Sequence, residues 1–273
     1  MLGLAVTLLL PAPQLTSGVI MVLLVLAQGL QRAVLEAMAA ASLLVVVSLL
    51  FGVSVASIVT LMAGTWVPVV ILAMLLMRTR SLALTLQVTV IVAVLAMTGF
   101  YVVVADPVAF WQPTLTAMGE FAQQSGLALN SELLNAEVMT LSATLAFWML
   151  YVVGLLLGYA LFNGLPGEAG RYGWFRDLSF GRVIALIMAI ASLLALVVSG
   201  AWLQNIAFVL FVVFWIQGLA IVHLMHAQQI LPLGAVVAVY VLLPFLQVLL
   251  VTGLGILGYM DAWFDFRRRM KKA

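Results

Sequence analysis

The sequence predicts an all-α fold, a polytopic bundle of transmembrane helices with an interfacial outer helix, forming a single integral membrane domain over residues 1–273. Three observations carry that prediction. Hydrophobic residues make up 66% and charged residues 7% of the chain, where a soluble domain carries about 25% charged residues. Several stretches approach or exceed the roughly 18–20 apolar residues that cross a hydrocarbon core of about 30 Å. Runs such as LLVVVSLLF (43–51) lack the polar–apolar alternation of a transmembrane β-barrel strand.

The elements follow in chain order. The stretch MLGLAVTLLLPAP (1–13) has no Lys or Arg before its apolar run and no A-x-A site. It reads as a membrane-inserted helix over 2–10 ended by Pro11 and Pro13, not as a cleaved signal peptide. At about 1.5 Å per residue it is too short to span, so it enters part-way or docks on its neighbours. Further segments are predicted at 15–31, 38–54, 56–77, 82–105, 138–163, 183–201, 205–225 and 233–260. Pro244 divides the last of these. A proline inside a helix removes a hydrogen bond and kinks or breaks it, so two limbs forming a hairpin are expected there.

Loop charges set orientation through the positive-inside rule. Cations occur at Arg32, at Arg78 and Arg80, at Arg171, Arg176 and Arg182, and in the run 267–272. The connection 106–137 holds Asp106, Glu120, Glu132 and Glu137 and no cation, which places it outside. Three apolar segments follow Arg182 and would put the basic tail outside as well; a hairpin at Pro244 returns it to the cytoplasm. Within 106–137, Trp111, Leu115, Met118 and Ala122 recur on one helical face, Pro113 suits a first helical turn, and Asn130 suits a cap. An interfacial helix and a gating lid both fit that pattern.

Composition also excludes function classes. The chain has no cysteine, hence no disulfide, thiolate metal site or cysteine nucleophile. Nucleic-acid binding needs a folded basic face, and no soluble domain is present to carry one. Every Asp, Glu, Lys and Arg can be assigned to a loop or helix end, unlike the intramembrane ionisable groups of proton relays. Polar residues left for the bundle are Gln28, Gln87, Asn163, Asn205, Gln217, His223, His226 and Gln247. Gln217 stands in the apolar run NIAFVLFVVFWIQGLAIVHLMH (205–226), where its amide is either helix–helix glue, worth roughly 0.6–2 kcal/mol, or a ligand contact. His223 and His226 share a helical face, but two ligands do not make a metal site. GLGILG (253–258) has no strand before it and reads as helix packing, not a dinucleotide loop. Neither a catalytic arrangement nor a cofactor or metal site can be assembled, so an enzyme is not expected.

The stretch GYMDAWFDFRRRMKKA (258–273) holds the densest polar cluster. Trp263, Phe264 and Phe266 read as interfacial aromatics and the Arg/Lys run as a cytoplasmic lock. Asp261, Trp263, Phe264, Asp265 and Arg267 are expected to form a structural clasp, its aspartates gripping Arg171 or Arg176 and its aromatics packing on the bundle. Asp265 and Arg269 also stand at helical pairing distance.

This ending resembles the signature of the YybS-like family of bacterial inner-membrane proteins, close to G-x-x-D-x-W-F-D-F-R-[RK], at Gly258, Asp261, Trp263, Phe264, Asp265, Phe266, Arg267 and Arg268. A second element of that family, an asparagine followed by Q-G-L-A-x-x-H, is matched by Asn205, Gln217, Gly218, Leu219, Ala220 and His223. Trp174, Arg176 and Arg182 match a third. The family is remotely similar to the S components of energy-coupling-factor transporters, compact bundles that bind a small molecule near the outer face. The resemblance therefore implies a bacterial inner-membrane location and an S-component-like bundle. Two functions are expected from it. One is a small-molecule binding or transport component, its ligand met by Asn205, Gln217 and His223 under the roof 106–137. The other is a non-transporting scaffold whose tail recruits a membrane or cytoplasmic protein. The lipid bilayer is the partner common to both.

Overall fold

The computed structural model describes residues 1–8, 10, 12–126, 136–198 and 200–270. It is all-α: among the described residues there are twelve α-helices and no strand. They are α1 (Leu2–Leu8), α2 (Pro13–Gln28), α3 (Leu30–Leu50), α4 (Val55–Thr79), α5 (Leu82–Val103), α6 (Pro107–Gln124), α7 (Ala136–Asn163), α8 (Gly181–Val197), α9 (Ala201–Ala227), α10 (Leu233–Leu242), α11 (Gln247–Phe264) and α12 (Phe266–Met270). By length and apolarity, α3, α4, α5, α7, α9 and α11 can each cross a membrane. The chain packs as two compact units, one of residues 1–86 and 147–174, the other of 87–146 and 175–273.

In the first unit α1 docks on α2. Ser17 Oγ and Thr16 Oγ1 donate to the carbonyls of Leu4 and Thr7 at 3.2 and 2.6 Å, and Trp66 Nε1 of α4 donates to Ser17 Oγ at 2.8 Å. Residues 32–37, whose polarity predicts a loop, are helical; α2 and α3 are parted at Gly29, whose φ of 83° favours glycine. Pro68 lies inside α4 and cannot donate to the Gly64 carbonyl; Tyr151 of α7 supplies the missing donor, its hydroxyl 2.7 Å from that oxygen. The loop after α7 is tied back by Tyr159, which donates to the Gly173 carbonyl at 2.7 Å and accepts from the Tyr172 N–H at 3.0 Å.

The second unit is built around α9, where 83% of an 18-residue window is buried. Gln87 at the start of α5 donates to the carbonyls of Ser179 and Phe180 at 3.2 and 3.1 Å, ahead of α8. Phe180 meets Gln217 of α9, whereas Tyr101 near the end of α5 meets Asn205 near the start of α9. These pairs fix α5 and α9 as antiparallel and define two ends. One end carries Arg176, Arg182, Arg267 and Arg268; the other carries Asp106 and α6, which contains Glu120 and no Arg or Lys.

The helix reaching 233–260 in the sequence is broken at 243–246, around Pro244, into α10 and α11. Asp261 of α11 meets Gln217, Phe175 lies 5.2 Å from the His223 ring, and Arg267 reaches the Arg176 carbonyl. So α9 and α11 finish at the same end, and α10 with the break carries the chain back between them. Glycines make the α9–α11 contact close: a methyl on Gly218 would overlap the Leu254 carbonyl, and one on Gly258 the Phe214 carbonyl.

Asp106 caps α6, its Oδ1 accepting from the Ala109 N–H at 3.0 Å, and Pro107 opens the helix. Pro113, expected in the first turn, lies inside α6 because the cap, Asp106, forms seven residues before it. The packed stripe is Trp111, Leu115, Gly119 and Ala122; Met118, expected on it, is 42% exposed. Asn130, Glu132, Lys271 and Lys272 lie outside the described residues.

Candidate functional site

The cluster richest in polar chemistry lies where α9, α11 and α12 meet the start of α8. Asp261 is 3% exposed although it stands in a membrane-length helix, because α11 turns Leu254, Gly255, Gly258, Asp261 and Ala262 inward together. That is one helical face, and its glycines let α9 approach closely. A carboxylate enclosed there needs a counter-charge and hydrogen-bond donors. Arg267 supplies the charge, its Nε donating to Asp261 Oδ2 at 2.8 Å, and Gln217 Nε2 donates to the same oxygen at 2.8 Å.

Each donor is held in turn. Gln217 is fully enclosed, and its Oε1 accepts from the Phe180 N–H at 2.7 Å, one residue before α8. That N–H belongs to a helix entrance that has no intrahelical acceptor for it. Arg267 is 8% exposed and its Nη1 donates to the Arg176 carbonyl at 3.0 Å. The chain folds back to make the pair because Asp265, between the partners, is left-handed at φ 49° and ends α11. Asp tolerates that conformation better than most residues.

Two atoms of the cluster are enclosed without a hydrogen-bond partner among the described residues: Asp261 Oδ1 and Arg267 Nη2. The guanidinium thus grips the carboxylate through Nε alone.

The partner of Asp261 is accordingly Arg267, not Arg171 or the Arg176 side chain. Asp265 itself is exposed at the helix end, and the Arg269 side chain lies outside the described residues. Trp263 and Phe264 are 37% and 53% exposed, so they do not pack into the bundle; Trp263 touches the Tyr259 ring at 6.2 Å, and Phe264 stacks on Phe266 at 5.9 Å.

The three residues expected to meet a ligand are not brought together. Asn205 lies at the opposite end of α9, its Nδ2 donating to the Tyr101 hydroxyl at 2.7 Å. His223 sits beyond Gln217, with Nδ1 2.9 Å from the Leu219 carbonyl and Nε2 3.3 Å from the Tyr240 hydroxyl. His226 Nδ1 is instead 3.1 Å from the Leu231 carbonyl. Tyr101, Tyr240, Gln87 and the Phe180 backbone had no expected role. The two tyrosines carried a usable signal as hydroxyls set in apolar runs, and so did the Gln87 amide, already counted among the polar residues of the bundle.

A second feature lies at the other end: an open groove of about 320 Å³ along α6, lined by Gln112, Leu115, Thr116, Gly119, Glu120 and Gln123. Comparison of the chain with protein-family models, with curated proteins and with solved structures finds no match in any of the three.

Proposed function

We propose that the protein is a non-transporting scaffold of a bacterial inner membrane, whose clasped basic end presents its tail to a partner in the cytoplasm. The observation that carries this reading is Gln217: it is fully enclosed, and both ends of its amide are taken by Phe180 and Asp261. A carrier keeps convergent polar groups available to its cargo. Here Asn205, Gln217 and His223 are bonded to protein at three separate levels of α9. The cytoplasmic placement is supported by the arginines gathered at one end and the acidic residues at the other. The resemblance of the ending to YybS-like proteins is compatible with this role.

One observation favours the other reading, a small-molecule binding or transport component resembling an S component. The groove on α6 offers amides, a hydroxyl and the Glu120 carboxylate at the end expected to be outside. Native mass spectrometry of the full chain, taken from its own membrane into nanodiscs, separates the two. The scaffold reading expects a protein adduct of defined mass that is lost when residues 268–273 are removed. A stoichiometric small-molecule adduct that survives that truncation and is lost in Glu120→Gln would replace it.

A further inference from the structure

Helix α6 presents three stripes. Trp111, Leu115, Gly119 and Ala122 pack inward, with Leu115 and Ala122 only 5% and 3% exposed. Gln112, Thr116, Glu120 and Gln123 recur at i, i+4, i+8 and i+11 and line the open groove. Phe110, Thr114, Ala117, Met118 and Phe121 form a third stripe, in which Phe110, Met118 and Phe121 are 52%, 42% and 66% exposed. At 100° per residue the polar and apolar stripes lie on opposite sides of the inward one.

We infer that the third stripe is a lipid-binding surface and that α6 lies in the membrane–water boundary, its aromatic edge in the acyl layer and its Gln/Glu edge in water. Continuity carries the assignment. Val102 and Val103, at the end of the membrane-length helix α5, are 79% and 82% exposed, so the lipid-facing surface of α5 runs up to α6. The Phe100 ring of α5 stands 5.2 Å from Phe110 and 6.0 Å from Trp111, which extends that apolar surface onto the start of α6. Trp111 is itself pinned, its Nε1 donating to Thr140 Oγ1 of α7 at 2.8 Å, so the roll of α6 about its axis is fixed. A lid over a pocket would turn its aromatic side chains inward; here Trp111 does so, while Phe110 and Phe121 turn away from the packed stripe.

The partner surface is defined by charge as well. Helix α6 and its cap contain Asp106 and Glu120 and no cation. Anionic headgroups therefore add nothing to its binding, which rests on apolar area alone.

The chain has no cysteine, so single-cysteine variants report without background. Spin labels at Phe110→Cys, Met118→Cys and Phe121→Cys, and at Gln112→Cys, Thr116→Cys and Glu120→Cys, would be read in nanodiscs for collision with oxygen and with a water-soluble nickel chelate. All six sites are at the surface; Phe110→Cys gives up its ring contacts with Phe100 and Trp111, so the apolar arm of the test rests chiefly on Met118→Cys and Phe121→Cys. The expected result is high oxygen and low nickel accessibility at the first three and the reverse at the others, unchanged between zwitterionic and anionic lipid. Nickel accessibility at Phe110, Met118 and Phe121 would mean a lid in water. Low accessibility to both reagents there would mean a covering protein. A pattern that appears only in anionic lipid would mean that charge holds the helix. Each of these overturns the assignment.

Discussion

Gln217 and Asp261 stand 44 residues apart and meet side chain to side chain at 2.8 Å, a neutral donor supporting a buried carboxylate whose charge is balanced by Arg267. Removing one member of such a set leaves the others enclosed and unpaired, which costs about 3–5 kcal/mol for a buried ion pair. Asp261→Ala is expected to lose that much stability, and Gln217→Leu about 1–3 kcal/mol, because it strands the Phe180 N–H. Asp261→Leu combined with Arg267→Met is expected to cost less than Asp261→Leu alone, since no uncompensated charge remains. Unfolding midpoints in mild detergent measure all four; a double variant that loses as much as or more than Asp261→Leu alone would show that the pair is not coupled.

Helix α11 contains its own control for glycine packing. Gly258→Ala is expected to push α11 away from the Phe214 carbonyl and cost about 1–3 kcal/mol, and Gly218→Ala similarly against Leu254. Gly253 has nothing within 4 Å of an added methyl. Gly253→Ala is therefore expected to be neutral, or stabilising by up to about 1 kcal/mol through helix propensity. Equal effects at Gly253 and Gly258 would refute the close approach.

Tyr151 answers the backbone defect that Pro68 creates in α4. Tyr151→Phe leaves the Gly64 carbonyl without its donor and is expected to destabilise by about 0.5–1.5 kcal/mol. Pro68→Ala supplies an N–H for that carbonyl within the helix, so Tyr151→Phe should cost much less in that background. A double-mutant cycle on thermal stability reads the difference as a coupling energy. No coupling would mean that the hydroxyl does not compensate for the N–H that Pro68 lacks.

How far the sequence led depends on the range of the physics involved. Helix positions were legible because apolar length is a local property, and the break around Pro244 because the missing N–H is local too. The 32–37 stretch misled, since Arg32 and Glu36 look like loop residues by type, yet long side chains can carry their charge outward from a continuous helix. The partner of Asp261 was not legible at all. Helical spacing pairs Asp265 with Arg269, but the left-handed turn at Asp265 resets the register and brings in Arg267, six residues from Asp261. Gln217 was recognisable as an amide needing a partner, but choosing Phe180 and Asp261 required two other segments to be in place.

That turn makes its own prediction. Asp265 is exposed and left-handed, so its role is conformational. Asp265→Gly and Asp265→Asn are expected to be tolerated, because both residues enter the left-handed region readily. Asp265→Val is expected to cost roughly 1–2 kcal/mol from the Cβ clash. The ranking Val worse than Asn, with Asn close to wild type, can be read from folded yield and melting temperature. A large loss in Asp265→Asn would instead place a charge interaction there.

The direction of α11 can be tested without any stability measurement. Because α9 and α11 end together beside the Arg176 carbonyl, any membrane crossing that puts Arg182 on one side must put Arg268 on the same side. Under the proposed function that side is the cytoplasm, as the positive-inside rule expects. Fluorescent-protein and alkaline-phosphatase fusions after Ala273 are therefore expected to be active as the cytoplasmic and inactive as the periplasmic reporter, with the opposite result for insertions after Ser125. A tail fusion active only in the periplasm, alongside a periplasmic reporter after Ser125, would require α10 and α11 to cross once as a single span. That would separate Arg267 from Arg176 by the thickness of the bilayer, and neither the 3.0 Å contact between them nor the clasp built on it could exist.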